Sequence, residues 1–318
     1  MAPRAPMARV SVIMNCYNGS KHLREAIDSV FSQTCDDWEI ICWDDASTDA
    51  TGEIAQSYGG KLLYFRGEKA SSLGQARNRA LEKAAGEFIA FLDQDDIWLP
   101  EKLEKQILIM SGEPEVTLVY TNYWKLQPGG RKRTGLKGTQ PSGDVFERFL
   151  FHYPVALSTA LVRRNAAQAL DAFFDEALNL SEEFDLFMRM LYQSEAAYLE
   201  EPLAVYRIHA GMSSVKLMDR YPVENRHVID KFKRMHPDFE SRYAEALAHL
   251  EARIGYWQAR ADMSRGRRLD ARVALRPHRW ASALYFMLYA ATFFPAGFWH
   301  LAHRLTGKGY ITSGEGSH

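Results

Sequence analysis

The chain has 318 residues, 47% hydrophobic and 25% charged, with a formal net charge of -1. This length and balance fit one large globular domain with a smaller appendage and exclude general disorder. Near-neutral charge also argues against nucleic acid as a partner, since such binding usually needs a strongly basic domain.

From Val10 to about Tyr120, short apolar runs alternate with helical stretches, the pattern of βα units that build a mostly parallel sheet. Val10 to Met14 reads as a first strand and Tyr17-Asn18-Gly19-Ser20 as a turn. His22 to Gln33 then places Leu23, Ala26, Ile27, Val30 and Phe31 at helical spacing. Glu39 to Trp43 is a second strand ending at Asp44-Asp45, and Ser47, Thr48 and Asp49 suit the N-cap of a helix running through Tyr58. A third strand is expected over Leu62 to Phe65, a helix over Gln75 to Ala85 stopped by Gly86, and a fourth strand over Phe88 to Leu92. That fourth run is apolar without alternation, as in a strand covered on both faces. Pro100 fits the first turn of a helix reaching Met110, and Val116 to Tyr120 reads as a fifth strand.

Gln127 to Gly143 holds glycines and the basic run Arg131-Lys132-Arg133, which suggests a mobile basic loop, with a solvated hairpin as the alternative. Leu157 to Arg163 is expected to return to the sheet. Glu182 to Gln193 reads as a helix with Phe184, Phe187, Met188 and Leu191 on one face, and strand-like pieces surround Pro202. Long helical stretches follow Ser213, so a boundary is placed there: residues 8–213 as the sheet domain, 214–318 as a helical region. Cys16, Cys35 and Cys42 lack C-x-x-C spacing, so neither a disulfide framework nor a zinc site is expected. Met1 to Met7 has two prolines and no apolar run, so no secretion signal is read and a cytoplasmic location is expected.

Chemistry-bearing residues fall at three strand ends: Tyr17 and Asn18, Asp44 and Asp45, and Asp93 to Asp96. Parallel strands bring their carboxyl ends to one edge, where ligands of such sheets bind. Two carboxylates two positions apart, as in Asp93-Gln94-Asp95, suit a hard divalent cation and the diphosphate it neutralises, although isolated acids also cap helices. Arg77, near the start of its helix, would add a guanidinium for an anion. Neither G-x-G-x-x-G after the first strand nor a P-loop is present, which disfavours dinucleotide dehydrogenases and P-loop NTPases.

Taken together, Val10 to Asn18, Trp43-Asp-Asp-Ala-Ser-Thr-Asp49, Gly74 with Ala76-Arg77-Asn78, Leu92 to Asp96 and Ser181 to Arg189 resemble the motifs of family 2 glycosyltransferases. Order and spacing agree over roughly residues 8 to 210. The resemblance implies a GT-A fold, a nucleotide-diphosphate sugar donor, Mg²⁺ or Mn²⁺, and inversion at the anomeric carbon. It implies that Tyr17 flanks the donor base, Asp45 hydrogen-bonds it, and Arg77 lies near the base or diphosphate. Asp93 would bind the ribose and Asp95 the metal, with His209 completing the metal or diphosphate site. Glu183 stands where the family's general base is usually aspartate; glutamate keeps the carboxylate on a longer arm, and Glu182 and Asp185 leave a shift of one position open.

Between Arg265 and Arg279, Arg267, Arg268, Arg272 and Arg276 meet a single acid, Asp270, and Trp280 to Ala302 follows without Asp, Glu, Lys or Arg. As one helix that stretch would run about 35 Å, long enough to span, but Pro295 and Gly297 interrupt it. Ser282, Tyr285, Tyr289 and Thr292 share one face, which fits a helix lying in a membrane interface, held by that basic run and by Arg304 and Lys308. The expected function is sugar transfer to a glycan acceptor, lipid-linked in surface polysaccharide assembly, at the inner face of the cell membrane; a homo-oligomer is left open. The alternatives are a non-catalytic nucleotide-sugar-binding or scaffold subunit and, more distantly, a nucleotidyltransferase.

Overall fold

The computed structural model describes residues 8–209, 211–212, 216–294 and 297–299. The readings on Met1 to Met7, Pro295, Arg304 and Lys308, and on the boundary near residue 214, lie outside these residues. The chain divides into two units, residues 1–149 with 153–209, and residues 150–152 with 210–318.

The first unit is built on a nine-stranded sheet. β1 (Val10–Cys16), β2 (Trp38–Asp44), β3 (Leu62–Arg66) and β4 (Phe88–Phe91) form its parallel half, in spatial order β3-β2-β1-β4. Helices α1 (Leu23–Phe31), α2 (Thr51–Gln56) and α3 (Leu73–Leu81) connect them. β1, β2 and β4 are covered on both faces, with Val10, Ser11, Val12, Ile13, Ile40, Ile41, Phe88 and Ile89 all buried, whereas the outer strand β3 is half-exposed. Gly86 precedes β4 because a Cβ there would stand 2.6 Å from the Ser11 backbone nitrogen.

Past β4 the sheet turns mixed, running β8-β6-β9-β5. These are β5 (Ile97–Trp98), β6 (Val116–Leu126), β8 (Leu161–Arg163) and β9 (Glu195–Arg207). Between them lie α4 (Lys102–Gly112), α5 (Phe146–Phe151), α6 (Arg164–Gln168) and α7 (Glu182–Leu191). β8 runs antiparallel to both β4 and β6, whereas β6 and β9 are parallel. The basic segment after Gln127 is a hairpin rather than a loop: β7 (Lys132–Thr134) pairs with the end of β6 through the turn at Gly129 and Gly130, both at positive φ. β5 has no sequence signal, because two residues cannot display a period. β9 continues through Pro202 by irregular register shifts at its pairing with β6, where the expectation was of separate pieces.

The second unit is helical: α8 (Tyr221–Met235), α9 (Phe239–Arg242), α10 (Ala244–Ser264), α11 (Arg268–Leu275) and α12 (Ala283–Ala291). Gly266, at φ 73°, ends α10. Its N–H donates to Met263 O at 3.1 Å and that of Arg267 to Asp262 O at 2.8 Å, the paired bonds of a left-handed helix stop. Tyr256, Met263, Leu275, Leu288 and Trp299 form its core. Tyr285 and Tyr289 pack on that core and Thr292 is buried, so three of the four residues expected to share one face of this helix turn inward. Burial of the tyrosine rings outweighs the polarity of their hydroxyls.

Candidate active site

The loops after β1 and β2 are laced together. Asn18 takes a left-handed φ of 49°, its N–H donates to Ser47 Oγ at 2.9 Å, and its Oδ1 accepts from Thr48 N at 2.8 Å. Gly19 N donates to Thr51 Oγ1 and Ser20 N to Asp49 Oδ2. Asp49 is pulled down to about 2: burial would raise it, but hydrogen bonds from Ser20 and Thr51 outweigh that effect. The two aspartates ending β2 are spent differently. Asp44 is fully buried and accepts from Tyr64 Oη, Arg66 Nη1 and Ser47 N, which makes it a structural anchor. Asp45 accepts from Ser71 N at 2.7 Å and Ser71 Oγ at 2.8 Å, tying the end of β2 to the segment that enters α3.

The Asp93-Gln94-Asp95-Asp96 segment leaves β4 with each side chain sent to a different element. Gln94 clamps the β1 loop: its Oε1 accepts from Tyr17 N at 2.9 Å and its Nε2 donates to Tyr17 O at 3.2 Å. A Cβ at Gly19 would overlap the Gln94 amide, so that clamp needs glycine. The Tyr17 ring itself is 53% exposed. Asp96 is buried, accepting from Ser158 Oγ at 2.6 Å and Arg207 N at 3.0 Å. Burial, then the charges of Asp93 and Asp95, push its carboxyl well above the usual range. Arg207 also donates to Asp95 O and reaches Glu25. The end of β9 is thereby fastened over the acidic segment, and His209 Nε2 comes within 2.7 Å of Asp95 Oδ2.

The resemblance sets Arg77 near the donor base or diphosphate. It lies in the middle of α3, 4% exposed, with its guanidinium on Asp93 Oδ1 at 3.2 Å and on Glu182 Oε1. Its two carboxylate partners join the acidic segment to the start of α7. Gly74, one turn earlier, lets α3 close on the segment before α7, since a Cβ there would meet Asp175 O at 2.6 Å.

The three acids opening α7 are thus told apart. Glu182 is buried against Arg77 and Asp185 is buried against Arg189, at 2.8 Å. Glu183 is half-buried and, among the described residues, forms no ion pair. Its carboxyl is pushed up to about 8 by burial and next by the charge of Glu182, with Arg77 opposing. The carboxyl of Asp93 is also raised, by burial first, with Arg77 holding it down.

Asp95 and His209 are the donors that fit a divalent ion: a carboxylate oxygen and an imidazole nitrogen face one another, with side chains 25% and 30% exposed. Among the described residues no group of three or more ligating side chains occurs, so a bound ion would take its remaining positions from substrate oxygens and water. Sequence reading gave Gln94, Ser71 and Ser158 no role, and Ser71 and Ser158 carry no signal of their own; Glu182 entered only as an alternative to Glu183. Gln94 alone was findable, since it sits between two motif aspartates.

A family model described as "Glycosyl transferase family 2" matches residues 11–170. An uncharacterised glycosyltransferase of Rickettsia typhi is 32% identical over 210 residues, 64% of this chain and 65% of that protein. The chain therefore spans slightly less than two thirds of that curated relative. An Escherichia coli UDP-Glc:alpha-D-GlcNAc-diphosphoundecaprenol beta-1,3-glucosyltransferase is 40% identical over 115 residues, 36% of this chain and 45% of that protein. Among solved structures, Staphylococcus aureus TarS in complex with UDP-GlcNAc aligns over 96% of this chain and 93% of its own, with TM-score 0.69 at 19% identity. A Pyrobaculum calidifontis mannosyltransferase in complex with GDP-Man and Mn2+ aligns over 94% and 87%, with TM-score 0.59 at 16% identity. These likenesses establish the GT-A fold, with a helical C-terminal region. The motifs read from the sequence and the matched family model agree, and the chain belongs to glycosyl transferase family 2.

Proposed function

We propose that this protein is an inverting glycosyltransferase that moves a sugar from a nucleoside-diphosphate sugar to an acceptor hydroxyl, with Glu183 as general base. The observation that carries the reading is the Arg77 bridge, which couples Asp93 to Glu182 and so sets the unpaired Glu183 carboxyl beside the acidic segment. Tyr17 and Asp45 flank the donor base, Asp93 receives the ribose, and Asp95 with His209 holds Mn²⁺ or Mg²⁺. When bound, that ion supplies positive charge against the departing diphosphate. Glu183 removes the acceptor proton while the acceptor oxygen forms its bond to the anomeric carbon. The bond from that carbon to the diphosphate oxygen breaks on the opposite face, which inverts the centre. Arg77 acts as a positioning residue for Asp93 and for the start of α7.

The acceptor we propose is a lipid-linked glycan at the inner face of the cell membrane. The Escherichia coli relative, named for a diphosphoundecaprenol acceptor, supports this, as does the basic, aromatic C-terminal sequence. A thermal-shift screen of UDP, dTDP and GDP with and without Mn²⁺ tests the donor side. Stabilisation by one nucleotide that depends on the ion is expected. Stabilisation by none of the three, or the same stabilisation in D95A, overturns the reading.

A further inference from the structure

Packing of α12 on the helical core leaves its opposite face unaccounted for. α12 turns Tyr285, Leu288 and Tyr289 inward, so Phe286 stands out on the opposite side, and exposed Phe293 and Phe294 continue its row two turns later. Trp280, 72% exposed, stacks on Phe286 with ring centroids 5.1 Å apart, and exposed Phe298 lies 5.0 Å from Phe294. Two exposed aromatic pairs, Trp280 with Phe286 and Phe294 with Phe298, thus stand along this side. Scattered exposed apolar side chains are ordinary, but a contiguous patch of large rings in water marks a contact surface.

Arginines are interleaved with those rings. Arg272 lies over the Phe293 ring at 3.6 Å and donates to Thr292 O; Arg279 lies over Trp280 at 5.5 Å and is bonded to Arg276 O. Among the described residues, Arg272, Arg276 and Arg279 form no ion pair, whereas Arg265 and Arg267, nearer α10, are matched by Asp219 and Asp262. Rings that enter an acyl boundary beside guanidinium groups left to find phosphate are the two halves of interfacial lipid binding. A second copy of the chain is a poorer occupant: a two-fold contact sets the same patch against itself, and unpaired arginines would face arginines. Spanning is excluded for α12, whose nine residues extend only about 14 Å against a hydrocarbon core of about 30 Å. No described helix is long and apolar enough to cross a membrane.

We infer that the face formed by Trp280, Phe286, Phe293 and Phe294 with Arg272, Arg276 and Arg279 docks in the plane of a bilayer of anionic phospholipid. The inference builds on the membrane placement proposed above and adds the surface that makes the contact. Flotation of the full chain is read without donor or acceptor, using vesicles of phosphatidylcholine alone and vesicles containing phosphatidylglycerol. The wild type floats with the phosphatidylglycerol vesicles and loses them as salt rises. R276Q/R279Q loses about fivefold in affinity per arginine removed. F286S/F293S loses roughly tenfold or more even at low salt. All four positions are solvent-facing or partly so, and an unchanged melting temperature shows that these chains fold. A wild type that does not float overturns this inference and the membrane placement together. If the wild type floats and the variants float equally well, the face is wrong while the placement stands. A wild-type dimer in solution that F286S/F293S converts to monomer also overturns the lipid assignment.

Discussion

Asp95 and His209, 114 positions apart in the chain, meet at 2.7 Å between Oδ2 and Nε2. The meeting depends on two further bonds, Asp96 to Arg207 N and Arg207 Nε to Asp95 O, which hold the end of β9 against the segment leaving β4. An ion at this pair would displace the hydrogen bond between them and draw its strength from both.

Loss of either donor should therefore be read in metal affinity before activity. We expect D95A to abolish measurable Mn²⁺ binding in calorimetry with nucleotide present, and H209A to weaken it by roughly 10- to 100-fold. H209A binding Mn²⁺ as tightly as the wild type would remove His209 from the ligand set.

For Glu183, the base role predicts that E183Q binds donor normally and loses about 10²- to 10⁴-fold in transfer. The carboxyl, raised to about 8 in the free protein, must lose its proton to act, so kcat/KM should climb through that pH and then level. E183Q should lack the climb. Substantial transfer by E183Q, read as sugar product, rules the residue out.

The same carboxyl has a stability consequence. Its folded value lies above its ordinary one, so between about 4.5 and about 8 the folded chain keeps a proton that the unfolded chain has released. Stability conferred by that bound proton is present at acid pH and is lost as pH rises through the folded value. Urea unfolding of the wild type across this window should show the decline, and E183Q should show a shallower one.

Arg77 is expected to matter for the fold as much as for turnover. R77M leaves Glu182 and Asp93 without their shared counter-charge and should cost about 3–5 kcal/mol in urea unfolding. It also removes the charge that lowers Glu183, so any remaining activity should climb at higher pH than in the wild type.

Gln94 should act on the donor side alone. Q94A frees the backbone of Tyr17 from two hydrogen bonds, each worth about 1 kcal/mol, without touching Glu183. A rise in donor KM with little change in kcat is expected; a loss confined to kcat would refute the clamp.

The parallel half of the sheet was legible because strands buried on both faces must be apolar runs, and helices between them must repeat at their own period. β1 to β4 and α1 to α4 all lie where composition puts them, within a few residues at their ends. β5 escaped for want of length. From Gln127 to Thr134 the sequence leaves loop and hairpin both open, because the residues of β7 are exposed and nothing apolar marks them. α12 was legible as a helix, but which face it buries was not, since tyrosine serves a core and a water boundary equally well.

At the site, residue types alone nominate Asp93 and Asp95, because carboxylates at strand ends are a local means of holding cations; Glu183 comes only with the family resemblance. Which carboxylates are already paired could only be decided in three dimensions. Asp44, Glu182 and Asp185 have the same chemistry as Asp45, Glu183 and Asp95, but Arg66, Arg77 and Arg189 reach the first three from distant positions or the next helical turn and bury them. A charge's role follows from its desolvation and its partners, which are properties of packing. Identity and order along the chain determined the family and the candidate acids; the folded sheet decided which of them remain available for chemistry.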